Sequence, residues 1–402
     1  VPSRTGGLTL LRRNPSFRVL WSARAISFLG DSLGLVALLV YVEDRTGAAF
    51  AVALLLFAGD CLPGFFGPLA GAICDRFDLR TVMISCELVQ AVLVVAMAVT
   101  LPPLPVLLVL VALRSITATI FQPASRSAVP ALVEDRELET ANSTLGAGTY
   151  GLEALGPLVA AALFTVLGIR GILLVDALTF VVSAVLLTRL PSLPSAGEHE
   201  PFARNVRDGL GYIWSTPVVR VIALGFFGIA AVNGVDDVAM VFLAKDELGA
   251  GDSAAAVLYA GVGIGLVVGY LVLGRLGHRM PMLGLLVAGF AISSAGNLLT
   301  GLAWAVGAAL ALQTIRGAGI AAIDVGLNTH LQRVVPARLL GRVFGNLYGA
   351  VGVAAGLSYG LGGLLLELTD ARVTFVTAGA CGLLVSAATA LALRRAHRRT
   401  PV

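Results

Sequence analysis

Apolar residues run in long unbroken blocks through most of this 402-residue chain, and that feature limits its fold more than any motif. A helix rises 1.5 Å per residue, so about 20 apolar residues cross roughly 30 Å of hydrocarbon. Twelve such blocks are read at 18–42, 50–73, 80–101, 104–125, 141–167, 171–190, 217–243, 253–275, 281–301, 304–327, 342–366 and 372–393. Glycine and alanine fill them without strict alternation, which predicts helices packed closely through small residues rather than lipid-facing strands. With 57% apolar and 13% charged residues, a water-soluble fold could not cover its surface with polar groups. The expected fold is therefore an all-α integral membrane protein.

Basic residues orient it. Placing both termini in the cytoplasm leaves Arg45, Arg170, Lys245 and Arg372 outside and puts nearly every other loop cation inside, as the positive-inside rule requires. The net charge of +4 then faces anionic lipid headgroups and calls for no nucleic-acid partner. The first 17 residues are polar and include Arg4, Arg12 and Arg13, so no cleavable leader is expected. The four cysteines lie in or at the ends of apolar blocks, and no structural disulfide is expected.

The longest polar interruption, 191–216, reads as a cytoplasmic linker with a short amphipathic helix near 202–214. It separates a six-helix half at 1–190 from another at 217–402. A shift of 202 residues superposes Pro15 on Pro217, Arg18 on Arg220, Asp44 on Asp246 and Arg114 on Arg316. Two pseudo-symmetric halves with a midplane site between them are one architecture of secondary transporters.

The stretch "GPLAGAICDRFDLR", 67–80, ends in charge where the second apolar block closes. Gly71, Asp75, Arg76 and Arg80 resemble the signature of the major facilitator superfamily, in the cytoplasmic loop between helices two and three. Asp78 stands where that family usually has Gly, and Leu79 where it usually has Arg. The resemblance implies a conformational latch. Gly71 would let two helices approach, Asp75 would bond a neighbouring helix, and Arg76 and Arg80 would be its partners or headgroup anchors. "NPSFRVLWSARAISFLGDSL" (14–33) and "FQPASRSAVPALVEDRELETAN" (121–142) look like bacterial facilitators of the macrolide-efflux and enterobactin-exporter group. In "GLEALGPLVAAAL" (151–163), Gly156 and Pro157 match the fifth-helix antiporter motif, with Ala160 and Ala161 where a glycine pair is common. Arg114 occupies the place of the fourth-helix arginine linked to proton coupling. The implied fold has twelve transmembrane helices in two six-helix halves.

An ionisable side chain at mid-span costs at least about 2.5–3.5 kcal/mol, so each one asks for a reason. Asp31 sits at mid-depth as a candidate proton or substrate site, while Arg24 is expected to snorkel to the membrane edge. Glu153, one turn before Gly156 and Pro157, is a second candidate proton carrier. Asn233, Asp236, Asp237 and Met240 form a stripe fit for a cavity wall or, with Lys245 two turns beyond Asp237, for a charged extracellular helix end. Arg114 and Arg316 could neutralise these acids or pair across helices, and Asp324 could bind substrate or latch a gate. Asp60, Glu87 and Asp176 rank lower, since contacts decide their role.

Gly146-x-Gly148-x-x-Gly151 and Gly356-x-Ser358-x-Gly360 imitate a dinucleotide fingerprint and a nucleophile elbow. Both lie in apolar helical blocks, so no enzyme is expected. The chain has no P-loop, and its histidines are scattered. No cofactor or metal is expected, and an ion gradient is the expected energy source. The expected function is proton-coupled efflux of a small amphipathic compound (a drug, siderophore or secondary metabolite) by a monomer in the cell membrane. The alternatives are a facilitator importer or uniporter, and a non-transporting sensor or scaffold.

Overall fold

The computed structural model describes residues 6–46, 49–153, 156–194, 202–249, 252–276 and 280–399. Among them the chain is helical, with no strand. The helices are α1 (Gly7–Arg13), α2 (Pro15–Thr46), α3 (Ala49–Leu56), α4 (Gly67–Arg76), α5 (Leu79–Thr100), α6 (Leu104–Leu132), α7 (Leu138–Glu153) and α8 (Gly156–Leu187). They continue as α9 (Phe202–Ser215), α10 (Pro217–Asn233), α11 (Asp236–Phe242), α12 (Asp252–Leu276), α13 (Met282–Gly301), α14 (Val306–Val334), α15 (Ala337–Leu368) and α16 (Ala371–Arg399).

Local chemistry sets several of these ends. Asn14 caps α2 by accepting from Phe17 N at 2.9 Å, with Pro15 as first helical residue, where its missing N–H costs nothing. Asp370 caps α16 in the same way through Val373 N, at 2.7 Å. Between α3 and α4 the chain passes through a π turn, Phe57–Cys61, and a 3₁₀ turn, Leu62–Phe66, around Pro63. Gly168 adopts φ +61°, which glycine alone enters freely, so α8 is two helical runs that meet where the sixth span was expected to begin.

Ten helices among the described residues are long and apolar enough to cross a membrane, or eleven if Arg207–Ser215 and Pro217–Asn233, bent by 104°, form one. The count differs from twelve at the expected spans 141–167 and 217–243. In the first, residues 154–155, between α7 and α8, lie outside the described residues. The second breaks between Asn233 and Asp236. The amphipathic helix expected near 202–214 is α9. The 202-residue shift carries α6 onto α14, both 29 residues long, and sets Pro15 and Pro217 at equivalent helix starts.

Contacts divide the chain into two units, Val1–Leu210 with Val335–Gly352, and Gly211–Val334 with Val353–Val402. In the first unit, one apolar core gathers Phe17, Leu20, Met83, Phe121 and Leu187. A second core gathers Leu33, Tyr41, Val94, Val111 and Phe180. Along α2, α5 and α6 the segments that feed the two cores are separated by polar residues, Ser27 and Asp31, Glu87 and Gln90, and Arg114 and Ser115. A polar belt therefore interrupts three neighbouring helices between two hydrocarbon layers. Outward-facing Val92, Val99, Val109 and Leu178 are exposed, as lipid contact requires.

In the second unit α12, α13 and α14 pack almost backbone to backbone. A Cβ on Gly265 would lie 1.9 Å from Thr314 O, and one on Gly317 would lie 2.2 Å from Val262 O. Small residues let the helices approach where lipid offers no hydrophobic drive for association.

Candidate functional site

The polar belt opens on a cavity of about 460 Å³ within the first unit, lined by Asp31, Gln90, Arg114, Gln122, Tyr150 and Tyr348 among others. Asp31 on α2 and Arg114 on α6 meet there. Arg114 Nη2 lies 2.9 Å from Asp31 Oδ1, and Nη1 lies 3.6 Å from Asp176 Oδ2 on α8. Asp31 remains 23% exposed on its side chain while Asp176 is fully buried, so only the former can meet a solute directly. Glu87 on α5 is fully buried and accepts from Ser27 Oγ (3.2 Å) and Ser183 Oγ (2.9 Å).

One guanidinium thus faces two carboxyl groups, with a third acid nearby. Charge is costly at this depth, and attraction in low dielectric offsets desolvation only where the geometry is good. The belt can hold opposite charges beside a cavity wall that also carries Phe28, Leu35, Leu38 and Phe121. That mixture suits a solute with a polar and an apolar part. Glu87 and Asp176, ranked low from sequence, belong to the cluster, because contacts across helices gather them.

Arg24 does not snorkel. Its side chain is buried and donates to Ser125 Oγ, Gln122 Oε1 (3.4 Å) and Thr149 Oγ1 (3.5 Å), with the guanidinium over the Phe28 ring at 5.2 Å. Polar groups on α6 and α7 hold it at a depth from which it was expected to escape.

Gly156 lies against α2 beside Asp31, and a Cβ there would meet Ser32 Oγ at 2.1 Å. The side chains of Glu153, Pro157, Asp60, Asp236 and Asp237 lie outside the described residues. Met240 is fully buried in the apolar core with Ala239, Leu243 and Phe375, not on a cavity wall. Asn233, the other described member of that stripe, is 5% exposed and donates to Ser294 Oγ (3.3 Å). Arg316 on α14 donates to Gln313 Oε1 (3.4 Å), and Gln313 in turn donates to Thr300 Oγ1 (3.1 Å). Asp324 accepts from Tyr270 (3.2 Å) and Asn328 (2.8 Å).

The charged stretch at 67–80 forms a second constellation in the first unit. Asp75, 4% exposed, accepts from Arg342 Nε on α15, and Arg342 Nη1 lies 3.3 Å from Asp208. Neither Arg76 nor Arg80 is Asp75's partner. Consecutive helical residues do not face each other, so Arg76 turns outward over the Phe77 ring at 5.8 Å. Arg80 lies beyond the α4–α5 turn and donates to Thr188 O at 2.6 Å. Close helix approach places Arg342 where it pairs. A Cβ on Gly71 would lie 2.9 Å from Gly341 O, and one on Gly67 would lie 2.4 Å from Gly345 O. Arg342 was counted in the sequence only as a loop cation. The spacing Gly341-x-x-x-Gly345-x-x-x-Gly349 was the one signal that α15 offers a face of its own for close approach.

Asp78, the departure from the family pattern, has its own work. Its carboxylate accepts from Thr81 N (3.0 Å), Ser192 Oγ (2.6 Å) and Leu193 N (2.7 Å), capping α5 and holding the segment after α8. Partial burial pushes its pKa upward, but these donors outweigh burial and hold it below the usual aspartate value.

The two enzyme-like glycine patterns lie in α7 and α15. At Gly148 a Cβ would meet Trp21 Nε1 at 2.3 Å, so that glycine seats an indole.

The model of the Major Facilitator Superfamily matches residues 20–345 and 234–402. The chain is 26% identical to the uncharacterized MFS-type transporter YfiS of Bacillus subtilis, over 97% of this chain and 96% of that one. It is 27% identical to the enterobactin exporter EntS of Escherichia coli, over 91% and 90%. The crystal structure of the human organic anion transporter MFSD10 (TETRAN) superposes with a TM-score of 0.79, at 16% identity, over 94% of this chain and 99% of that one. At that identity the likeness speaks for fold alone. With a helical membrane architecture and a polar cavity already in place, the family match is decisive: the chain belongs to the Major Facilitator Superfamily and is a multi-pass secondary transporter, not an enzyme.

Proposed function

We propose that the chain exports a small amphipathic compound in exchange for protons, across the cell membrane, with both termini in the cytoplasm. The observation that carries this reading is the Asp31–Arg114 pair on the cavity wall. A carboxyl group between hydrocarbon layers, reachable from a cavity and paired to a single guanidinium, gains or loses a proton with a large change in local charge. That change is what a coupled cycle needs.

Outward-facing acids, Asp31 and Glu153 among them, take up protons, and the neutralised site returns inward, where proton release accompanies solute loading. Residues 1–190 and 217–402 act as the two halves, with Arg316, Asp324, Asp236 and Asp237 as the second half's contribution. Gly156 and Pro157 shape the helix beside Asp31. Asp75 and Arg342 come from different sequence halves, so their pairing latches one conformation, with Arg76 and Arg80 anchoring the same face to lipid headgroups. The export direction is supported by similarity to a protein named an exporter, and orientation by the positive-inside distribution of arginines. The mixed cavity wall supports an amphipathic solute. The monomer is the working unit.

A deletion strain screened across chemical classes should accumulate at least one amphipathic compound that the wild type expels. Everted vesicles should then take that compound up when acidified inside. Uptake by right-side-out vesicles with the opposite dependence would establish an importer, and no flux of any compound would establish a sensor or scaffold.

A further inference from the structure

Asp176 has no part in the cycle above, yet it is as fully buried as Glu87 and, unlike Glu87, has no hydroxyl donor among the described residues holding it. It is 0% exposed, and neither carboxylate oxygen has a hydrogen-bond partner among the described residues. Its ion pair is the 3.6 Å approach of Arg114 Nη1. The other arm of the same guanidinium is 2.9 Å from Asp31 Oδ1, but that oxygen also lacks a hydrogen bond of proper geometry. The fork therefore lies between two carboxyl groups and is seated squarely on neither.

Space for this arrangement is built into α2. A Cβ on Gly34 would lie 2.1 Å from Asp176 Oδ2, and one on Gly30 would lie 2.8 Å from Oδ1. Any side chain at either position would push the carboxyl group off its place. The charged groups facing Asp176 are Arg114 from α6, Asp31 from α2 and, further off, Glu87 from α5. Glu87 is itself held by Ser27 and Ser183. One cation beside the two carboxyl groups Asp31 and Asp176 is neutral only when one of them carries a proton, and two such coupled groups titrate as a pair.

We propose that Asp176 is the second seat of a guanidinium switch. In one arrangement Arg114 pairs with ionised Asp31 and the proton resides on Asp176. In the other, the proton resides on Asp31 and Arg114 pairs with ionised Asp176. One O–H bond breaks and one forms, and the charge of the cluster is unchanged. In the second arrangement a cationic group of a solute can replace the proton on Asp31, which leaves into cavity water, so one cation loaded releases one proton. Asp176 is a positioning residue, acting on Asp31 by giving Arg114 somewhere to go. The inference rests on the proton-coupled reading above.

Infrared difference spectroscopy of the full chain in liposomes tests it, with Glu87→Gln as parent so that the remaining protonated carboxyl group of the cluster is the shared one. The parent should show a protonated-carboxyl C=O band at neutral pH. Asp31→Asn and Asp176→Asn should each abolish that band, and the double variant should remove nothing more. Gly34→Ala, which keeps every acid, should weaken the same band, and size-exclusion profiles matching the parent establish that the variants fold. A band unchanged in Asp176→Asn, or two separate bands lost one per variant, would overturn the switch. Coupled transport lost from the wild type with this band pattern intact overturns the coupling reading alone. Coupled transport with an unchanged Asp176→Asn band overturns the switch alone.

Discussion

Replacing Asp75 with asparagine should open the packing between α4 and the first half of α15, and the native Cys74 reports it. Asp75 and Arg342 are 4% and 6% exposed, so the substitution leaves a buried guanidinium without its main counter-charge. Removing one partner of a buried pair costs about 3–5 kcal/mol. Asp208, 43% exposed on its side chain and 3.3 Å from Arg342, retains part of the compensation, so about 2–3 kcal/mol against the closed packing is reasonable. At 1.36 kcal/mol per decade this raises the open population roughly 30- to 150-fold. Cys74 is 2% exposed, with its Cβ 2.9 Å from a Cβ built on Gly341 and its Sγ 3.9 Å from Ile120 O on α6, so parting α4 from α15 uncovers one of the two surfaces that shield its thiol. With Cys61, Cys86 and Cys381 replaced by alanine, the N-ethylmaleimide labelling rate of Cys74 should rise by that factor in Asp75→Asn. Where opening and closing are fast, the rate tracks the open population. Arg342→Gln added to Asp75→Asn should change the rate little further, because the two act as one unit. Labelling unchanged in a monodisperse Asp75→Asn protein would refute the claim that the pair holds these helices together.

Gly345→Leu should raise Cys74 labelling with every charge in place, since its Cβ would meet Gly67 O at 2.5 Å; labelling equal to the parent would mean the glycine face is not the closing surface. Asp78→Ala should lower the thermal midpoint in detergent by an amount fitting a lost cap of about 1 kcal/mol. Because the folded pKa of Asp78 lies below its unfolded value, its contribution is present above the unfolded value and lost as pH falls through the folded one. The difference between the two proteins should therefore be full at neutral pH and shrink in strong acid, and a gap that persists there would contradict the assignment. Gly148→Val should displace the Trp21 indole, whose Nε1 donates to Thr144 O at 2.9 Å, and red-shift its emission in a chain with Trp214 and Trp304 replaced by phenylalanine; an unshifted spectrum would place that indole elsewhere.

What could be read from residues alone divides by the range of the forces involved. The spans were legible because hydrocarbon thickness acts on every block of the chain independently. Asp31 and Arg114 stood out because a charge in such a block is costly wherever it lies. Asp176 and Glu87 carried the same signal, but contacts between α2, α5, α6 and α8 decide what they do. Arg24 was misread because snorkelling was its cheapest local option, whereas Ser125, Gln122 and Thr149 on other helices supply a better one. Arg342 lies 267 residues from Asp75, beyond any spacing rule. The break between α10 and α11 was invisible to hydropathy, which averages over it.

The most direct measurement of the central claim is transport driven by a pH gradient in liposomes, comparing wild type with Asp31→Asn for a compound the deletion screen identifies. The wild type should move the compound against its gradient when the proton gradient opposes it, with a matching proton flux read by a pH-sensitive dye. Asp31→Asn should retain passive exchange and lose both the uphill movement and the proton flux. Full gradient-driven transport by Asp31→Asn would contradict the account.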